Sequence, residues 1–343
     1  MTSTMIVVVI AIIIALIFDI INGFHDSANS IATIVSTRVL SPKFAVLWAA
    51  FFNFVAMFIF APKVAGTISK IIIINSNDPA FLWVVLSGLI GAIAWDLITW
   101  FWGIPTSSSH ALIGGLAGAG IAYSGINSIR WFKLEEAMVF IPLAPLIGFA
   151  VGFVFMVILY WIFRKWHPMK VDNFFRKGQL FSAALYSLGH GGNDAQKTMG
   201  VILALLIAAR LVGENTTLSL EHWDTLWIIL ACHIAMAIGT ALGGWKIVKT
   251  MGMKLTKLKP VHGFAAETAG AATLFLATSL GIPVSTTHTI GGSIIGVGAT
   301  TNLAGIKWKT ATKIVVAWIV TIPCSAIAAA LFFYLVKLIH PGF

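Results

Sequence analysis

Asp26 and Asp194 stand in two polar stretches, NGFHDSANSIAT (22–33) and GHGGNDAQKTMG (189–200), of a chain that is 59% hydrophobic. A carboxylate in apolar surroundings is expensive, and in membrane-spanning sequence it marks an ion path by default. Asn22, Asn29, Asn193 and Gln196 put amide oxygens close by. The glycines in both stretches read as breaks that free backbone carbonyls. Hard oxygen donors of this kind suit a small hard cation such as Na⁺, or an Asp that takes a proton. A plainer account exists for Asp194, because an ion pair with Lys197 could do no more than stabilise a kink. Asp26 has only His25 as a near-sequence base. Lys197 could pair with Asp194, approach an anion, or snorkel.

A second pair of motifs calls for the opposite charge. PTSSSH (105–110) and PVSTTH (283–288) each place hydroxyls behind a proline and ahead of a helix-forming run. Proline stops the preceding helix, and Ser and Thr cap the next one. A helix that begins inside a membrane exposes free N–H groups and a positive dipole end, which suit an oxyanion. Two such tips facing each other would surround a tetrahedral anion with donors from Ser107, Ser108, Ser109, Ser285, Thr286 and Thr287. The alternative is that these hydroxyls only satisfy their own backbone. The glycines that follow (Gly114, Gly115, Gly118 and Gly120; Gly291, Gly292 and Gly296) read as points of tight helix packing.

Electrostatics ties the two sets together. An anion near two ionised carboxylates is repelled by about 4 kcal/mol per like-charge pair at 4–5 Å and an effective dielectric near 20. Cations bound first remove that cost and add attraction, which couples the two ligands by linkage.

The elements that must position these residues follow from composition. Only 10% of the 343 residues are charged, and apolar runs such as 5–21 and 313–339 approach the length that crosses a bilayer. The first run lacks a basic n-region and a plausible cleavage site, so it is kept as a span. Cys232 and Cys324 lie in apolar segments and read as small core residues, neither a disulfide nor a metal site. The net charge of +10 needs no nucleic acid, because positive loops explain it. With stretches 38–43, 164–177, 246–259 and 307–313 inside, the inside holds 15 Lys/Arg and the outside stretches (62–79, 127–136, 210–223 and the C-terminal end) hold 6. That bias orients both termini outside and the basic linker in the cytoplasm.

The chain also repeats itself. GIPTSSSHALIGGLAGAGI (103–121) matches GIPVSTTHTIGGSIIGVGA (281–299), and Asp26 precedes its proline by 79 residues where Asp194 precedes its own by 89. The first half starts outside and the second inside. The expectation is an all-α polytopic membrane protein built as an inverted-topology repeat, with discontinuous helices or re-entrant hairpins meeting at the bilayer midplane. Residues 1–163 form the first repeat, 164–178 a cytoplasmic linker and 179–343 the second repeat.

With these motifs the chain resembles the inorganic phosphate transporter (PiT) family over nearly its whole length. The resemblance implies a carrier of the cell membrane that imports phosphate with sodium or protons, sodium being favoured, and that needs no cofactor. It places phosphate on the hydroxyl tips with Asn29 and Gln196. It places sodium on Asp26, Asn29, Asn193 and Asp194, with Asn22 beside them. Glu267, in GFAAETAG, looks like a family acid, yet the repeat-equivalent position is Leu89. It is either an accessory cation ligand or a buried structural acid. His25 departs from the Asn that many members carry before the Asp. The sequence is compatible with a homo-oligomer.

Other classes fit less well. A sulfate or other oxyanion permease would use the same donors, so an acceptor for the P–OH proton, such as an Asn29 or Gln196 carbonyl, is what would favour phosphate. A channel with a paired-histidine pore at His110 and His288 would not need two buried acids. An intramembrane serine hydrolase is disfavoured, because Ser109 and His110 are adjacent and point apart.

Overall fold

In the computed structural model the described residues are 3–69, 78 and 80–339. Part of the 62–79 stretch expected outside, and the last four residues of the C-terminal end, lie beyond them. The described chain is built of helices joined by short turns and extended segments. Six helices fill the first half: α1 (Ser3–Ser36), α2 (Pro42–Val55), α3 (Lys63–Ile68), α4 (Ala80–Trp102), α5 (Ser108–Ser124) and α6 (Trp131–Phe163). Six more fill the second: α7 (Pro168–Ala208), α8 (Trp223–Leu242), α9 (Trp245–Met253), α10 (Pro260–Ser279), α11 (Thr286–Thr301) and α12 (Trp308–Ile339). The order of long and short elements is the same in both halves. Five of these helices are long and apolar enough to cross a membrane. The fold is that of a multi-spanning membrane protein.

The halves are interleaved rather than side by side. α6 packs on α10 and α11 of the second half, and α12 packs on α4 and α5 of the first. α1 lies against α8 and α9, while α7 lies against α2 and α3. These reciprocal pairings are what an inverted repeat produces. Glycine makes them possible. A Cβ on Gly114 or Gly118 would run into α12 at Ile322, Ser325 and Ala326, and one on Gly292 or Gly296 would run into α6 at Pro145 and Phe149. Each pair is a small-xxx-small stripe that lets the other half's last helix approach.

The α4–α5 and α10–α11 hairpins turn at Gly103 and Gly281, whose φ values of 67° and 73° favour glycine. Each turn is held by a short helix of the opposite half. Lys246 donates to the carbonyl of Phe101 (3.0 Å) and Thr250 to that of Gly103 (2.9 Å). Lys63 donates to the carbonyl of Ser279 (2.9 Å) and Thr67 to that of Gly281 (2.9 Å). The Lys-x₃-Thr pairs of α3 and α9 are a second repeated motif.

One sequence expectation is corrected. α1 and α7 run without interruption through Asp26 and Asp194, so the glycine-rich stretches are not helix breaks. Gly23 instead meets Met236 and Gly239 of α8, and Gly191 meets the backbone of Asn53 on α2. Absence of a Cβ serves close approach here and leaves the helical hydrogen bonds intact. The basic stretch expected as a linker is helical from Pro168 onward, because His167 caps α7 through Met169 N–H and Pro168 occupies the first turn.

Candidate functional site

α5 and α11 begin at Ser108 and Thr286, deep in the protein, after the extended segments that carry Pro105 and Pro283. Ser107 and Ser285 are their N-caps. Each Oγ accepts the N–H of the histidine three residues on, at 3.3 Å from His110 and 3.2 Å from His288. For these two hydroxyls the plain capping role is the one observed. The N–H groups just before these histidines, on Ser108, Ser109, Thr286 and Thr287, have no intrahelical partner, whereas Ala111 and Thr289 already donate to the carbonyls of Ser107 and Ser285.

Ser109, Thr286 and Thr287 face the two long helices. Asn29 of α1 donates to Thr287 Oγ1 at 2.9 Å and to Thr286 Oγ1 at 3.2 Å. Thr286 donates to Asp194 Oδ2 at 3.0 Å. Thr287 donates to the Thr106 carbonyl at 3.0 Å and lies 3.4 Å from Asp26 Oδ1, so it joins the tips to each other. Lys197 of α7 is 1% exposed. It pairs with Asp194, donates to Ser109 Oγ on the first tip, and donates to the Val284 carbonyl of the second (3.0 Å). The ion pair foreseen as one option for Lys197 is present, and the lysine also bridges both tips.

The two carboxylates share one spot. Asp26, Asp194 and His190 each bring a ligand atom within 4.8 Å of the others. His25 Nδ1 is 2.9 Å from Asp26 Oδ1, and His190 Nε2 is 3.2 Å from Asp194 Oδ2. The other ring nitrogens meet Thr99 Oγ1 at 3.0 Å and Asn53 Oδ1 at 3.2 Å. All of these side chains are buried. The amide oxygens of Asn22, Asn29 and Asn193, and Ser108 Oγ, have no hydrogen-bond partner among the described residues. Electron pairs left unmatched in a dry interior are what a bound cation or a P–OH proton would use. Apart from His190 Nε2, which lies against Asp194, the available donors are oxygens, which fits a hard cation such as sodium as cargo.

The structure does not gather every residue singled out in the sequence. Asn193 turns its amide nitrogen to Thr278 Oγ1 (3.0 Å) and to the Ile282 carbonyl (3.3 Å) on the approach to the second tip. Gln196 is held by the backbone, accepting from Val64 N–H (2.8 Å) and donating to the Ala61 carbonyl (3.1 Å). It lines a cavity of about 300 Å³ with Pro62, Leu218, Glu221 and His233. Glu267 is elsewhere again, accepting from Thr33 (2.5 Å), Ser182 (2.5 Å) and Gln179 (2.9 Å). Three donors, one from α1 and two from α7, hold it.

His110 and His288 meet edge to face with ring centres 4.8 Å apart, and His288 stacks on Trp318 at 4.0 Å. They are packed behind the tips. Ser109 is bonded to Lys197 and not to a histidine.

Sequence inspection passed over several residues that touch the site. His190 and Asn53 are partners from opposite halves, which no local pattern announces. Asp19 and Asp96 are fully buried acids in apolar helices. Their signal, a lone acid within a span, was there to be read.

The phosphate transporter family matches residues 22–171 and 164–329. A probable low-affinity inorganic phosphate transporter of Rhizobium meliloti (strain 1021) is 52% identical over 330 residues, 96% of each chain. A protein described in the same words from Bacillus subtilis (strain 168) is 44% identical over 99% of this chain and all of its own. A solved structure described as the sodium-dependent phosphate transporter superposes with a TM-score of 0.87 at 26% identity, covering 97% of this chain and 99% of that one.

Proposed function

We propose that this chain, which belongs to the phosphate transporter family, is a secondary carrier that brings inorganic phosphate across the cell membrane with sodium, by alternating access. The observation that carries this is the convergence of two helix N-termini, one from each half, on one buried spot that also holds Asp26 and Asp194. Phosphate sits against the tips, on Ser108, Ser109, Thr286 and Thr287 and the free N–H groups beside them, with the Asn29 amide closing one side. Ser107 and Ser285 shape the tips as caps. Sodium takes Asp26 and the unmatched oxygens of Asn22 and Asn29, with Asp194 shared between sodium and Lys197, and Asn193 stands at the approach. Gln196 lines the outer approach, and phosphate passes it on the way in. Glu267 ties α1 to α7 below the site.

Charge explains why the ligands need each other. Asp26 and Asp194 carry two negative charges against the one positive charge of Lys197. An added phosphate deepens the deficit, and a sodium ion makes it up. Residues 1–163 and 179–343 are the two repeats, joined by 164–178 on the cytoplasmic side, with both termini outside. Protons are the second candidate for the coupling ion, acting on the same carboxylates.

The test is phosphate uptake into proteoliposomes under separately imposed sodium and pH gradients. A sodium gradient alone should drive accumulation, and preloaded unlabelled phosphate should accelerate labelled uptake. Accumulation driven only by the pH gradient would overturn sodium coupling. Absence of trans-acceleration would overturn the carrier mechanism.

A further inference from the structure

Away from the tips, a cavity of about 250 Å³ lies where the end of α6 meets the first turns of α7 and α10. The apolar span Met138–Phe163 of α6 ends just before Arg164, so the cavity stands at the depth of lipid headgroups. Trp161 and Trp166 flank that end with exposures of 67% and 47%, as interfacial anchors do. The charge of the cavity is one-sided. Arg164, which opens the basic stretch 164–177, and Lys259, which closes the stretch 246–259, both line it. Neither has a carboxylate partner among the described residues. The acid in the lining, Asp172, is already paired with Arg176 at 2.8 Å. The Arg164 guanidinium lies over the Trp161 ring, 5.2 Å from its centre. The other polar groups satisfy one another. Tyr160 Oη is 2.9 Å from His262 Nε2 and 3.0 Å from Thr301 Oγ1, and Lys259 N–H donates to His262 Nδ1 at 3.2 Å. Leu159, Phe163, Val171 and Val261 supply an apolar wall.

We propose that this cavity binds an anionic phospholipid, with its phosphodiester between Arg164 and Lys259 and acyl carbons against the apolar wall. The lining selects the class. Arginine can meet two phosphate oxygens at once, and lysine adds a point charge. A free phosphate would use the two cations and leave the wall bare. A neutral lipid would cover the wall and leave the cations unmatched. An anionic phospholipid uses both, as basic pockets between spanning helices do for acidic headgroups. α6 belongs to the first half of the chain and α10 to the second. A lipid seated here therefore touches both halves at one end of the bundle, and its binding is sensitive to how they are set against each other.

The test is a calorimetric titration of the purified full-length protein, in neutral detergent at physiological salt, with dihexanoyl phosphatidylglycerol and with dihexanoyl phosphatidylcholine. The two lipids share their chains and differ in charge. Phosphatidylglycerol should bind at least tenfold more tightly. Arg164→Gln and Lys259→Gln should each weaken it by about tenfold, the worth of one charged hydrogen bond. Lys165→Gln and Lys170→Gln, exposed in the same basic stretch but outside the lining, should change it by less than about twofold, because salt screens them. An unshifted melting transition without lipid shows that each variant is folded. Equal affinity for the two lipids overturns the proposal, as does equal loss in all four variants, which would mean diffuse attraction to a basic surface. Inorganic phosphate in excess should leave phosphatidylglycerol bound. Displacement by it assigns the cavity to free phosphate and overturns the lipid.

Discussion

Asp26→Asn should change phosphate binding in opposite directions with and without sodium. Thr287 lies 3.4 Å from Asp26 Oδ1 and also belongs to the tip proposed to receive the anion. An anion bonded to that hydroxyl would sit about 5 Å from the carboxylate, where two like charges cost about 3 kcal/mol at an effective dielectric near 20 and about 1 kcal/mol in water-like surroundings. Removing the Asp26 charge relieves that repulsion, so sodium-free affinity should tighten by roughly 5-fold to 100-fold. Affinity in saturating sodium should weaken, because the ion loses its least compensated ligand. Asp194 keeps Lys197, whereas the ion-pair partner of Asp26 among the described residues is His25 at 2.9 Å. The ratio of the two affinities should fall by at least tenfold. The assay is equilibrium binding of labelled phosphate to the purified protein in sodium chloride and in choline chloride at one pH. A folded variant whose sodium-to-choline ratio equals that of the unmodified protein would refute the argument, because Asp26 would then not act through its charge.

Two further outcomes follow from the same contacts. Lys197→Met should lower stability by about 3–5 kcal/mol, because it leaves Asp194 as an uncompensated buried charge; thermal melting should show a large drop, and adding Asp194→Asn should recover much of it without restoring uptake. Thr67→Val and Thr250→Val each remove one hydrogen bond to a hairpin-turn glycine. Each should cost about 1 kcal/mol, and the two losses should add within about 0.5 kcal/mol in the double variant because the turns lie on opposite hairpins; a strongly non-additive pair would show that the turns are coupled.

The chemistry was legible because an apolar chain makes its polar residues conspicuous. PTSSSH and PVSTTH announced two helix starts, and the structure places α5 and α11 where they point. The duplicated Asp stretches announced one shared spot, and the two carboxylates are there. The meaning of glycine was not legible in the same way. A glycine that frees a carbonyl and a glycine that admits another helix look alike in sequence, because both need only the missing Cβ. At Gly23 and Gly191 the second use holds, and that could be learned only from which helix lies opposite. α3 and α9 escaped notice for a different reason. They are 6 and 9 residues long, too short for a periodic signal, and their Lys-x₃-Thr pairs acquire meaning only against a turn in the other half. Gln196 failed similarly: its neighbours in sequence are site residues, but a helix turns 100° per residue, and its amide emerges beside Ala61 and Val64.

The backbone repeat is close to symmetric, and the charges laid on it are not. Both hairpins have the same turn, the same cap and the same glycine spacing, so the two tips offer an anion equivalent dipoles. The long helices differ. α7 supplies Asp194 together with Lys197, whose ammonium reaches both tips, while α1 supplies Asp26, which lies against His25. The α7 side of the site is thus close to neutral before any ion arrives, and the deficit lies along α1. A cation gains most there, beside Asp26, where the unmatched Asn29 oxygen also lies. The equivalent place on α7 is taken by a lysine that cannot leave. In the proposed carrier the symmetric fold therefore fixes where the anion would go, and the asymmetric charges fix the side from which a cation would neutralise it.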